Sequence, residues 1–250
     1  MPLSTKATTL VLTALPLLAL SDPRAYATNI TLNTGVVNLT KPSYGTITIN
    51  GGTVTVATSA TSTPSLTFGG STDNWTGTLD LLTNKMIVEP TSSNATLLAN
   101  LQNQAKFGAS HSTGILSSTR PANMGVAVMD NAVLGLSTFG GLSVDANSLL
   151  LSPELLGDAN ADGHVDLTDL STVLNNFGTS TPAWTSGNFD FSSTIDLTDL
   201  SDVLNNFGLS NTNSAVMTSF TMATPAPEPA SLSLLLFSTA MFQLCRRRKV

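Results

Sequence analysis

The 250-residue sequence predicts a mainly β N-terminal domain, either a β-solenoid or a β-sandwich, followed by a small all-α module of paired loop-helix units. Three observations lead there. Between Thr28 and about Phe68 the residues alternate with period two, most clearly in Thr46-Ile-Thr-Ile-Asn50 and Thr53-Val-Thr-Val-Ala57, the mark of half-buried strands. Between Gly157 and Gly208 one segment is written twice: Asp166-Leu-Thr-Asp-Leu-Ser-Thr-Val-Leu-Asn-Asn-Phe-Gly178 returns as Asp196 to Gly208 with a single change, Thr172 to Asp202. Charged residues make up 10% of the chain against 41% hydrophobic, a composition suited to exported β-structure and unlike a cytosolic enzyme.

The N-terminus opens with Lys6 and the apolar run Leu10 to Leu20, and Ala25-Tyr-Ala27 offers small residues where a signal peptidase reads. Residues 1–27 are therefore expected to be a secretory signal peptide cleaved after Ala27, because the run is short of the roughly 20 residues a membrane-spanning helix needs. The β-rich domain follows over 28–156. The runs flanking Gly51-Gly52 predict one β-hairpin, and Thr78 to Leu82 with Lys85 to Glu89 a second across Thr83-Asn84. Ser92-Ser-Asn94 should cap a helix to about Lys106, with Leu97, Leu98, Leu101 and Ala105 on one side and Gly108 ending it. Strands resume near Gly125 to Met129 and continue to Leu149-Leu-Leu151.

Catalytic chemistry is hard to find in this domain, and no enzyme activity is expected. Its acids are Asp73, Asp80, Glu89, Asp130, Asp145 and Glu154. A glycosidase needs two of them facing one sugar bond, whereas Asp80 and Glu89 read as exposed hairpin positions. His111 has no neighbour in sequence to form a metal site or a triad. Trp75 offers either a sugar-stacking ring or a buried anchor. The net charge of −6, with four of the ten basic residues at Arg246 to Lys249, argues against nucleic-acid binding. The single cysteine, Cys245, excludes an intrachain disulfide.

The repeat carries ligand chemistry. Asp158, Asn160, Asp162, Asp166 and Asp169 fall at positions 1, 3, 5, 9 and 12 of a twelve-residue loop, with Gly163 at the sharp turn of position 6 and the His164 carbonyl at position 7. A hard cation such as Ca²⁺ takes six to eight oxygens from such positions. The second loop places Asn188, Asp190, Ser192, Thr194, Asp196 and Asp199 at positions 1, 3, 5, 7, 9 and 12, with Ser193 where glycine is expected. Fewer carboxylates predict a weaker site. The stretch holds eight Asp and no Lys or Arg, so cation binding and folding should be coupled. After each loop Leu170, Val173, Leu174 and Phe177, and again Leu200, Val203, Leu204 and Phe207, mark one helical face expected to be buried against its twin.

These residues resemble a type I dockerin, a duplicated EF-hand-like calcium loop-helix module, over 157–208. The resemblance implies Ca²⁺ at both loops and docking onto a cohesin-type protein domain, in many members within polysaccharide-degrading assemblies. It also implies partner contacts at loop positions 10 and 11, here Leu167-Thr168 and Leu197-Thr198; the Thr matches the family and the Leu departs from it.

Beyond a polar linker (209–226) the chain ends in Pro227-Glu228-Pro229, an apolar run from Leu232 to Cys245 and the basic cluster. Apolar followed by basic places the tail in the cytoplasm and the rest outside. Residues 227–250 resemble a PEP-CTERM sorting signal with its transmembrane segment, which implies an exosortase-type processing enzyme and attachment to, or release from, the bacterial cell envelope. The sequence thus reads as an exported, calcium-binding envelope protein engaged in protein assembly. The alternative is a polysaccharide-binding or polysaccharide-degrading component of an extracellular assembly.

Overall fold

A computed structural model describes residues 10–14, 28–91, 95–181 and 183–211. The helix cap expected at Ser92 to Asn94, the signal-peptidase site expected at Ala27 and the sorting signal expected at Pro227, Glu228 and Pro229 lie outside the described residues. Among the described residues no helix is long and apolar enough to cross a membrane.

The parallel strands wind as successive coils, pairing with their counterparts one coil away. Strand β1 (Leu10–Ala14), inside the segment read as a signal peptide, runs antiparallel to β2 (Thr28–Leu32). The first coil continues through β3 (Val36–Leu39), and the second through β4 (Ile47–Ile49), β5 (Gly52–Val56) and β6 (Ala60–Thr63). The third holds β7 (Leu66–Phe68), the small hairpin β8 (Gly70–Ser71) and β9 (Asn74–Trp75), then β10 (Gly77–Asp80) and β11 (Lys85–Val88). In the first sheet β2, β4 and β7 are parallel; in the second β3, β5 and β10 are parallel; in the third β6 and β11 are parallel. Ile30, Leu32, Ile47, Ile49 and Leu66 are buried inside the first sheet. The intervening threonines point outward and stack, the Thr67 hydroxyl donating to Thr48 at 3.1 Å.

Both expected hairpins are corrected by this winding. Gly51-Gly52 is a corner between two sheets: β4 and β5 each pair with the neighbouring coils and not with one another. Corners stack too, for Asn50 donates its amide to Asn33 at 2.8 Å. Gly52, at φ 78°, leaves no room for a side chain, since a Cβ there would stand 2.4 Å from the Gly35 carbonyl oxygen. In the same way β10 belongs to the second sheet and β11 to the third. Asp80 and Glu89, expected as exposed, are only 8% and 7% exposed as a result.

A helix, α1 (Ala95–Ser110), crosses from the third sheet back to β12 (Gly114–Leu116), which adds to the second sheet beside β10. Gly108 does not end it but lies within it, where the Ile115 carbonyl oxygen approaches to 2.0 Å of a would-be Cβ. The chain then forms β13 (Met124–Asp130), the single turn α2 (Asn131–Leu134) and the hairpin of β14 (Thr138–Phe139) and β15 (Leu142–Ser143). Strand β16 (Leu149–Leu155), buried at every residue, lies antiparallel between β11 and β13. The repeats contribute α3 (Leu167–Asn176), a 3₁₀ turn (Trp184–Ser186) and α4 (Leu197–Asn206).

The expected class, a mainly β domain followed by an all-α module, is therefore corrected: the chain is mixed α/β with a strand-rich core. One reason is α1, whose buried Leu101 and Ala105 belong to the core of the coils. The other is that the repeats own no separate core. Ala159, Val165, Val173, Trp184, Phe189, Ile195 and Val203 join the strand residues in a single apolar cluster. Each helix is only ten residues long, and ten residues cannot bury enough apolar surface on their own. The repeats are completed by non-helical structure, including a β-bridge between His164 and Ser210.

Candidate metal centre

The first loop leaves β16 directly, so Asp158 starts from one of the most buried segments of the molecule. Asp158 is itself fully buried. Its carboxylate accepts from the Asp162 amide at 3.2 Å and the Gly163 amide at 2.9 Å, which curls the loop around it. Ala161 takes a positive φ of 55° and Gly163 one of 91° to complete the turn. Asn160 accepts from the Asp162 amide at 3.0 Å, and Asp162 accepts from the His164 amide at 2.9 Å and from the Asn160 side-chain amide at 2.9 Å. At position 12 Asp169 folds back beneath the loop. It accepts from the Ala159 amide at 2.9 Å and the Asp166 amide at 2.9 Å, while Asp166 caps α3 through the Thr168 amide at 2.7 Å. A shorter Asp where a longer Glu is common thus reaches both ends of the loop. His164 is exposed.

The second loop follows the same trace. Asp199 accepts from the Phe189 amide at 2.8 Å and the Asp196 amide at 2.9 Å, Asp196 caps α4 through the Thr198 amide at 2.7 Å, and Phe191 matches Ala161 with φ 51°. Its polar filling differs. Asn188, fully buried, donates its amide to the Thr181 carbonyl at 2.9 Å and the Ser192 carbonyl at 3.1 Å. The Ser192 hydroxyl donates to the Thr194 carbonyl at 2.7 Å, engaging the oxygen at position 7. Asp190 accepts from the Ser192 amide at 2.8 Å.

Each helix packs on the start of the other loop. The Asn176 side-chain amide donates to the Ser186 carbonyl at 3.1 Å, and that of Asn206 donates to the Leu156 carbonyl at 2.8 Å. Between the loops, Gly178 donates to the Ile195 carbonyl and Gly208 to the Val165 carbonyl, both at 2.8 Å. Of the expected buried helical face, Val173 and Val203 are fully buried and Leu170 and Leu200 half-buried. Leu174, Phe177, Leu204 and Phe207 are exposed and form no paired core, a correction forced by the short helices, which turn one stripe inward and leave the next in water. Leu167 and Leu197 are 68% and 69% exposed, with Thr168 and Thr198 exposed beside them.

Electrostatics sets the loops apart. Burial pushes the Asp158 carboxyl up to about 8, reinforced by Glu154 and Asp169 and opposed by the Gly163 amide. Burial also raises Asp169 and Asp199 above the ordinary carboxyl range. Asp202 is pushed to about 6, first by burial and then by Asp199 and Asp190. Two contributors were not legible as such. Asp202 was visible only as the one change between the repeats, and its position beside the second loop's acids depends on α4. Trp184 donates its indole N–H to the Asp158 carbonyl at 2.7 Å and meets Phe189 edge-on at 5.1 Å; a lone aromatic in a polar stretch was its only signal.

The donor set fits a hard cation: carboxylate and amide oxygens from one loop, closed at both ends by a buried Asp. The side chains are turned onto backbone N–H groups, and among the described residues no three His, Cys, Asp or Glu converge as a ready-made set. In the β-body Asp80 and Asp130 serve the backbone. Asp80 accepts from the Leu82 and Ser118 amides at 3.0 Å and from the Ser118 hydroxyl at 2.6 Å, and Asp130 caps α2. Trp75 is buried, its indole N–H on Asn103 at 2.7 Å. His111 is exposed and stacks on Phe107 at 3.8 Å.

No family model matches this chain, no curated protein matches it, and no solved structure matches it.

Proposed function

We propose that the protein is an exported, calcium-binding envelope protein whose dockerin-like repeats mediate association with another protein. The observation that carries the calcium reading is the fully buried Asp158 at the head of a loop closed by a buried Asp169. Such a carboxylate is costly without a cation or a proton, and Ca²⁺ supplies the charge that the loop lacks. In this reading Asp158, Asn160, Asp162, Asp166 and Asp169 with the His164 carbonyl hold the stronger ion. Asn188, Asp190, Ser192, Asp196 and Asp199 with the Thr194 carbonyl hold the weaker one.

The association reading is supported by the paired exposure of Leu167 with Leu197, Leu174 with Leu204 and Phe177 with Phe207. Large apolar residues exposed at matching positions of both repeats suit a partner surface, and a cohesin-type domain is the partner class the resemblance implies. The envelope address rests on the sequence of the two termini alone. Calorimetric Ca²⁺ titration of the full chain, followed by circular dichroism, tests the central claim. The full chain is needed because the repeats share their core with the strands. Saturable binding that disappears in the Asp158→Ala, Asp162→Ala double variant is expected; no binding up to ~1 mM would end the reading.

A further inference from the structure

We propose that a cleft between the coils and the end of the second repeat binds a carboxylate-bearing sugar, a hexuronate being its smallest form, with Arg120 as the carboxylate anchor. The proposal is independent of the calcium reading. The cleft measures about 430 Å³ and is lined by the turn at Leu82-Thr83, the segment Thr119 to Met124, Pro153 and Leu155 of β16, and Ser210-Asn211. That volume lies within the range of small-molecule sites, roughly 300 to 1,000 Å³.

Its chemistry is selective. Among the described residues the Arg120 side chain donates to the Met124 carbonyl, and no carboxylate pairs with it. A guanidinium carries five N–H donors in a planar fork, so most of its capacity remains after that bond. In a chain of net charge −6 with only four Lys or Arg between Arg24 and Arg246, such a group is uncommon. The fork matches a carboxylate bidentately. Thr83, Thr119, Asn123 and Ser210 also line the cleft, neutral residues whose side chains donate and accept hydrogen bonds as ring hydroxyls require. Leu82, Pro153 and Leu155 add an apolar surface for the C–H face of a sugar ring.

The walls are fixed before any ligand arrives. The Asp80 carboxylate holds the Leu82 amide at 3.0 Å, and the Ser117 hydroxyl holds the Leu82 carbonyl. On the far side the Met124 amide donates to Pro121 at 3.1 Å, Leu156 donates to Asn123 at 3.0 Å and Asn211 donates to Gly163 at 2.7 Å. Preorganised walls reduce the ordering cost of binding.

The test is calorimetric or ligand-observed NMR titration of the full chain with D-glucuronate and D-galacturonate, with D-glucose, D-galactose and acetate as separate arms. The uronates should bind, the neutral sugars and acetate at least about tenfold more weakly. Arg120→Ala should lose uronate binding. Because Arg120 also ties down Met124, its folding is checked by circular dichroism. Thr83→Val, at a lining residue outside the Arg120–Met124 segment, should weaken binding about threefold or more without touching that tie. The proposal is overturned by no uronate binding up to ~10 mM, by neutral sugars or acetate binding as well as the uronates, by a folded Arg120→Ala that binds unchanged, or by full affinity in Thr83→Val.

Discussion

The two loops share a backbone and differ in chemistry. Both turn through a positive-φ residue at position 4, Ala161 and Phe191, and both start a helix with an Asp capping box, Asp166 with Asp169 and Asp196 with Asp199. The first loop encloses the fully buried Asp158, with Asp162 and Gly163 following. The second puts Asn188, Ser192 and Ser193 at those positions. Asn188 and Ser192 bring N–H and O–H donors of their own, which bind Thr181, Ser192 and Thr194 carbonyls. The shared backbone geometry therefore carries a carboxylate at its leading position in one loop and an amide in the other. The second loop ties Asn188 and Ser192 to its own carbonyls; the first gathers Asp162 and Asp169 around the buried Asp158.

Exchanging that chemistry is the strongest way to break the comparison. Asp158→Asn gives the first loop the second loop's leading residue and should weaken its Ca²⁺ affinity by about a hundredfold or more, because affinity follows ligand charge. Asn188→Asp should strengthen the second loop by a smaller factor, since Ser192 remains. Calorimetric titration of both variants reads each change, and equal affinities in wild type and Asp158→Asn would show that charge at position 1 does not distinguish the loops.

Protons probe the same asymmetry. With its carboxyl near pH 8 in the folded chain against 3.8 as its ordinary value, Asp158 is protonated when folded and ionised when unfolded between those limits. Folding then takes up a proton, so the Asp158 contribution to stability is fully present below about pH 4 and is lost as pH rises through 8. Asp202, raised to about 6, acts in the same direction over a narrower window. Thermal midpoints without metal should decline across this range, and saturating Ca²⁺ should flatten the decline. A midpoint that rises with pH in the absence of metal would contradict the buried acid.

The glycines before the loops sharpen the comparison structurally. Gly157 has φ 100°, and a Cβ there would sit 2.8 Å from the Val203 Cα on α4. Gly187 has φ 94°, with the Val173 Cγ2 methyl at 2.6 Å. Backbone yields less than a methyl group, so Gly157→Ala should cost about 3 kcal/mol and Gly187→Ala about 2 kcal/mol in denaturant unfolding.

Legibility followed the range of the interactions. The loop traces were readable because they are local: the turn at Gly163 and the helix after Asp166 follow from short-range spacing, whereas the acid side chains are turned onto backbone N–H groups. The coils were less so, because a strand's partner lies one coil away. The alternation of Ile47-Thr-Ile49 and Val54-Thr-Val56 was seen, but it does not say whether those strands pair with each other or with their counterparts in the next coil. The recurrence of Ile30-Thr-Leu-Asn33 as Ile47-Thr-Ile-Asn50 and Leu66-Thr-Phe-Gly69 carried that information. The helix faces misled for a related reason. Leu174 and Phe177 fit an inward stripe by period, but only packing on the start of the opposite loop decides which part of a ten-residue helix is covered.

The smallest expected effect tests that last point. Leu167→Ala and Leu197→Ala, alone or together, should change stability by less than about 0.5 kcal/mol each, since both side chains remain largely in water. Val173→Ala and Val203→Ala, farther along the same helices and fully buried, should cost roughly 1 to 3 kcal/mol each. Denaturant unfolding of the four variants separates the two sets. If the leucines cost as much as the valines, they are buried in solution against something that the described residues do not include. If they cost nothing, two related helices expose leucines that the fold does not need, and a role in association remains to account for them.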